Sequence, residues 1–97
     1  GIYLQTVSGA DARAIYEGEV TWCAPMNGNY AVIVQHGNYR SVYSPLKKIY
    51  VKQGDKLTAK QAIGEIYTNT SEDNKTELYF QIYKDRSILN PGLWLAQ

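Results

Sequence analysis

Apolar and polar residues alternate along ELYFQIY, residues 77–83. Successive side chains on a strand point to opposite faces. Leu78, Phe80 and Ile82 therefore share one face, with the composition of a core. Glu77, Tyr79, Gln81 and Tyr83 share the other, which is too polar for a core and too aromatic for an idle surface. YAVIVQ, residues 30–35, is nearly all apolar, and predicts a central strand buried on both faces. Further strands are predicted at 19–23, 40–44, 49–52, 62–68, 76–84 and 88–89. Turn residues separate them: Pro25-Met26-Asn27-Gly28-Asn29, Gly37-Asn38, Gly54-Asp55, the polar loop 68–76, Asp85-Arg86-Ser87, and Asn90-Pro91 before Trp94. Asn-Gly is the strongest short hairpin signal among them. The best helical stretch, 9–17, is short and β-branched near its end. The pattern predicts an all-β fold of short antiparallel strands, hairpins and meanders, as a sandwich or a folded sheet, with little or no helix.

The length of 97 residues sets one domain, 1–97, with a single modest core that buries roughly 60–65% of the unfolded chain's surface. The chain opens at Gly1 on an apolar strand-like run, and is expected to be excised from a longer protein. A net charge of +1 argues against a nucleic-acid partner or a polybasic membrane anchor. No apolar run reaches the length of a membrane span. The single cysteine excludes an internal disulfide. The informative excess is tyrosine: nine residues, against one Phe and two Trp. Tyrosine joins a large apolar body to a hydroxyl, and suits both strands and recognition surfaces.

Candidate chemistry is sparse. A catalytic zinc needs about three ligands from His, Cys, Asp and Glu, and the chain has one His and one Cys. With Asn27-Gly28 as the hairpin centre, Cys23 falls opposite Val32 and His36 opposite Glu19, several residues apart along the ladder. His36, at a strand end before Gly37, reads as a structural hydrogen-bonder. Cys23 reads as a buried small apolar residue. No G-x-S-x-G elbow and no phosphate-cradling glycine loop is present. Glu17, Glu19, Glu65 and Glu77 would supply carboxylates for a glycosidase-like pair, but no spacing favours any two.

The order of segments is more specific. YAVIVQHGNYRSVYSPLKKIYVKQGDKLTAKQAIGEI, then ELYFQIYKD, then NPGLWL resembles the LytM domain, the peptidase M23 fold, over nearly the whole chain. The resemblance implies a fold that in active members is a zinc endopeptidase cutting peptidoglycan cross-bridges. Its marks there are a His…Asp pair near the domain start, a Y-A-H-L-like segment and an H-x-H strand. Here the H-x-H position reads Glu77-Leu78-Tyr79. The Y-A-H-L position reads Tyr43-Ser44-Pro45-Leu46, with Pro45 where the histidine would stand. Tyr3 falls where the metal-binding aspartate would be, and the preceding His would fall before residue 1. The resemblance then implies no metal, no cofactor and no peptide hydrolysis. VKQGDKLTAKQAIGEI also resembles biotinyl and lipoyl carrier domains, but no lysine sits in their hairpin-tip motif.

ELYFQI with the NPGLWL close is most similar to the EnvC-like murein hydrolase activators, a metal-free subgroup of the family. That likeness implies a partner-binding groove of Tyr3, Tyr43, Ser44, Pro45, Glu77, Tyr79 and Tyr83. Its implied partner is an N-acetylmuramoyl-L-alanine amidase, which it switches on for septal peptidoglycan splitting, at a periplasmic or other envelope location outside the cytoplasmic membrane. The alternative is passive peptidoglycan binding or an envelope scaffold through the same face. Tyr16, Tyr30, Tyr39, Tyr50 and Tyr67 are expected in packing or rim positions.

Overall fold

The computed structural model describes residues 2–84 and 87–89. Ten strands run through them: β1 (Ile2–Thr6), β2 (Asp11–Arg13), β3 (Gly18–Met26), β4 (Asn29–His36), β5 (Tyr39–Ile49), β6 (Lys56–Leu57), β7 (Ala62–Ile66), β8 (Thr68–Asn69), β9 (Lys75–Lys84) and β10 (Ser87–Leu89). No helix occurs among the described residues. The main path through the sheet is β1-β9-β5-β4-β3-β6, with β7 joining β5 to β2, and β8 and β10 lying along β9. Every strand pairing is antiparallel. The all-β antiparallel expectation holds. The expected turn at 85–87 lies partly, and the 90–94 close wholly, outside the described residues.

Three local expectations change. The segment 9–17 carries strand β2 instead of a helical turn, because Asp11–Arg13 finds a partner edge on β7. No separate strand forms at 49–52: Ile49 is the last residue of β5, and residues 50–52 lie outside any strand. β5 pairs with β9 as far as Ser44 and with β4 as far as Leu46; Leu46 also pairs with Ile66 of β7, and past a register shift at Lys47 the pairing resumes with Ile49 opposite Gly64. The strand expected at 62–68 breaks at Tyr67, whose N–H leaves β7 and donates to the Pro45 carbonyl at 3.1 Å. Gly64 meets a different demand: an added Cβ would collide with the Lys48 carbonyl oxygen.

The Asn27-Gly28 turn forms as the dipeptide demands, with φ of 53° and 84°, the left-handed pair of a tight hairpin. Cys23 lies opposite Val32 as expected. His36 does not lie opposite Glu19: a bulge between Val20 and Trp22 places Glu19 opposite Gln35. An extra residue on one strand shifts every later pair by one.

The core lies on one face of the sheet. Val20, Val32, Val34, Leu46, Ile63, Phe80 and Ile82 are all at 1% exposure or less. Each such side chain contributes about 1.5–3 kcal/mol on leaving water. β4 is central, between β3 and β5, yet only Ala31, Val32 and Val34 are buried. Ile33 is half-buried on the opposite, outer face.

Candidate functional site

The outer face is set by strand alternation on β9. Leu78, Phe80 and Ile82 go inward at 6%, 1% and 1% exposure, so Glu77, Tyr79, Gln81 and Tyr83 must go outward, where each is half-buried. Neighbouring strands align their own outward residues. On β1, Tyr3 is directly opposite Tyr79, and the two rings stack at 4.7 Å with a 34° tilt. On β5, Ser44, Val42 and Arg40 stand opposite Tyr79, Gln81 and Tyr83. The Gln81 amide donates to the Tyr79 hydroxyl at 3.0 Å, which fixes the outer rim of that ring.

Two clefts lie beside the Tyr3–Tyr79 stack, Tyr3 lining one and Tyr79 the other. A smaller one, about 210 Å³, is lined by Tyr3, Pro45, Tyr67 and Glu77 with polar neighbours from the 69–75 turn. Glu77 is its inner carboxylate, 3.8 Å from the Lys75 ammonium. Both partners are partly exposed, so this pair contributes little to stability. The larger cleft, about 440 Å³, has a floor of Met26, Ala31, Ile33, Val42, Tyr79 and Tyr83. Tyr3, Ser44, Glu77, Tyr79 and Tyr83 thus share one face of the sheet, and Pro45, just before the β5 bulge, lines the smaller cleft with Tyr3 and Glu77. Ser44, at 8% exposure, forms part of the floor.

Tyr43 does not belong to this face. Adjacent residues on a strand point oppositely, so Ser44 on the outer face sends Tyr43 into the core. Tyr43 is 1% exposed and packs on Phe80, with ring centroids 5.4 Å apart. Its hydroxyl oxygen accepts from the Ile15 N–H at 3.2 Å and from Ser41 Oγ at 2.9 Å. Burial pushes the phenol above its ordinary value of 10.0, against the smaller lowering effect of those two hydrogen bonds. Ser41 also lies 2.7 Å from His36 Nε2, while His36 Nδ1 is 2.8 Å from the Glu17 carbonyl. His36 has the structural role expected of it. Cys23 is half-buried against the core rather than fully enclosed.

Sequence reasoning missed the β3–β5 half of the groove: Met26, Ile33, Val42 and Arg40. The hairpin register around Asn27-Gly28, carried across to β5, contains that half. Among the described residues, no three His, Cys, Asp or Glu side chains gather as a metal centre would need.

The sequence matches the profile of peptidase family M23 over residues 1–91. The chain belongs to that family. An uncharacterized protein of Haemophilus influenzae is 33% identical over 97 residues, covering 98% of this chain and 23% of that protein. The chain therefore spans about a quarter of that relative's length. The structure of the SpoIIQ–SpoIIIAH pore forming complex aligns with a TM-score of 0.71 and 33% identity, over 81% of this chain and 52% of the matched one. The catalytic domain of the antimicrobial peptidase lysostaphin from Staphylococcus simulans aligns at 0.82 and 23% identity, over 100% of this chain and 78% of that one. The last likeness concerns the fold. In this M23 domain, the positions that the family resemblance assigns to the metal site (Tyr3, Pro45, Glu77 and Tyr79) meet at one patch of the outer face.

Proposed function

We propose that this M23 domain does not hydrolyse peptide bonds. It docks and activates a cell-wall N-acetylmuramoyl-L-alanine amidase through the outer-face groove, outside the cytoplasmic membrane, and so supports septal peptidoglycan splitting and cell separation. The observation that carries this reading is the Tyr3–Tyr79 stack at the patch where the resemblance implies zinc ligands. Two phenols are poor substitutes for the His, Cys, Asp and Glu side chains that hold a catalytic zinc. Glu77 is the one carboxylate of the four positions, and it faces Lys75. This donor set does not fit a catalytic zinc. What the stack offers instead is rigid amphipathic contact area, the kind that dominates protein interfaces.

Activation follows as a population shift. An amidase closed over its own site opens on this domain only if the open form binds better. Moving a 1:99 equilibrium to 99:1 takes about 5.5 kcal/mol of differential affinity, within reach of a few buried aromatic contacts at about 2 kcal/mol or more each. The SpoIIQ–SpoIIIAH complex lends general support, as a case of a similar chain assembled with another protein.

A second reading is passive binding of peptidoglycan, or an envelope scaffold. It is favoured by the smaller cleft, where Tyr3 and Tyr67 flank the polar groups Asn69, Glu72 and Glu77, since aromatic rings with nearby polar groups also suit sugars. Labelled sacculi separate the readings. Release by the mixture of domain and amidase, with neither active alone and no zinc in the domain, is the expected result. Release by the domain alone would make it a hydrolase. Sedimentation with sacculi without enhanced release would favour the second reading.

A further inference from the structure

We propose that two copies of this chain join antiparallel along β1, with the two-fold axis at Leu4. This goes beyond the docking reading above and does not depend on it. β1 ends the main path of the sheet, and its one strand partner among the described residues is β9. The phase of the hydrogen bonds tells which backbone groups of β1 face outward. Gly37-Asn38 joins β4 to β5 as a two-residue turn, so the pair that closes it, His36 and Tyr39, exchanges both bonds. Bonding then alternates along β5. Ser41 and Tyr43 bond toward β4, while Arg40, Val42 and Ser44 bond toward β9. On β9 this commits Tyr83, Gln81 and Tyr79, and leaves Phe80, Leu78 and Thr76 to bond Ile2, Leu4 and Thr6. Tyr3 and Gln5 therefore face the free edge. Their two N–H and two C=O groups have no backbone partner among the described residues.

Sheets blunt an open edge with lysine, proline, a bulge or a very short strand. The opposite end of this sheet does so: β6 has two residues, and β3 carries a bulge and Pro25. β1 has none of these devices. Its five residues, Ile-Tyr-Leu-Gln-Thr, carry no charge and pair with β9 without a register shift. The edge also complements itself. In an antiparallel pair centred on Leu4, Tyr3 of each copy stands opposite Gln5 of the other. These are the residues with outward groups, so every such group is used, in four hydrogen bonds. Leu4 meets Leu4 of the second copy as a non-hydrogen-bonded pair, with Cα atoms about 4.5 Å apart and side chains in contact. On the inner face, Leu4 and Thr6 line an apolar cleft of about 240 Å³ with Ile66, Leu78 and Phe80, and the second Leu4 extends that apolar wall across the axis. On the outer face Tyr3, 65% exposed, gains Gln5 of the second copy as a neighbour.

Sedimentation equilibrium of the whole chain is the first test. One strand pair is a small interface, of the class under about 1,200 Å² that associates weakly, so the apparent mass should rise toward that of a dimer between about 10 μM and 1 mM. Gln5→Pro removes one outward N–H from each copy, hence two bonds per dimer, and leaves the bonds to β9 in place. It should weaken self-association at least about tenfold and leave Tm within a few degrees. Leu4→Cys reads the register. With oxidised glutathione, two thiols at the axis become one disulfide as the glutathione is reduced, because their Cα separation suits a bridge. Val7→Cys, exposed but three residues from the axis, should stay unlinked, as should the wild type with Cys23 alone. A monomer at every concentration up to about 1 mM would overturn the inference and leave the edge to a strand of another protein. Unchanged self-association of Gln5→Pro with an unaltered Tm would also overturn it, as would cross-linking of Val7→Cys as fast as that of Leu4→Cys.

Discussion

Replacing Tyr43 is the sharpest test of how the two faces divide. Its ring is 1% exposed and packs on Phe80, so Tyr43→Ala should cost about 3–5 kcal/mol through lost burial and a cavity. That is a large share of the ~5–15 kcal/mol that holds a typical domain together. Tyr43→Phe keeps the ring and removes one oxygen. The Ile15 N–H, 3.2 Å away, then loses its acceptor, and Ser41 Oγ, 2.9 Å away, loses one of its partners. The cost should be about 1–3 kcal/mol. At about 4–8 °C per kcal/mol for a domain of this size, Tyr43→Phe should lower Tm by roughly 5–20 °C, with Tyr43→Ala lower still or unfolded. The alkaline limb of the stability curve should change as well. The folded phenol titrates above its unfolded value of 10.0, so the folded state holds that proton longer. Its contribution is present below pH 10.0 and is lost as pH rises from there through the raised folded value. The wild type should therefore lose stability above pH 10 more steeply than Tyr43→Phe. Urea unfolding at pH 7 and at several values above 10 measures both effects. If Tyr43→Ala kept the wild-type Tm and instead lost partner activation, Tyr43 would belong to the groove and the division of faces would be wrong.

Other outcomes follow from the same geometry. Tyr79→Ala removes a half-buried ring stacked on Tyr3; it should cost the fold about 1 kcal/mol and greatly reduce amidase activation in the sacculus assay, and an unfolded variant would place Tyr79 in the core. Glu77→His combined with Tyr79→His should release nothing from sacculi even with added zinc, because Pro45 and Tyr3 still withhold donors; zinc-dependent release would overturn the non-catalytic reading. Gly64→Ala drives a Cβ into the Lys48 carbonyl oxygen and should lower Tm by several degrees or more in differential scanning calorimetry, with a neutral result meaning that β5 and β7 separate easily.

Period-2 alternation was enough to divide β9, because Leu78, Phe80 and Ile82 and the outward row differ so sharply in polarity. It was enough also to place Asn27-Gly28 at a hairpin. The groove assignment of Tyr43 failed because it followed family position and not strand parity, which separates Tyr43 from its neighbour Ser44. The pairing of His36 with Glu19 failed because one bulged residue at Thr21 leaves no mark in hydrophobicity. The Met26, Ile33 and Val42 half of the groove stayed hidden for another reason. An apolar residue on a sheet reads as core until the register shows that nothing among the described strands covers it.

The alternation on β9 has a consequence for how such a domain can change over generations. Each residue of the outer row is flanked along the chain by residues that hold the core, yet it makes almost none of their contacts. Chemistry written on the outer row can drift through His, Glu or Tyr while Leu78, Phe80 and Ile82 continue to hold the sheet together. One lineage could in this way pass from cutting to docking without crossing an unfolded intermediate. For the same reason, Tyr3, Glu77, Tyr79 and Gln81 form a natural cassette for combinatorial libraries, in which most members should fold and differ only in what they bind.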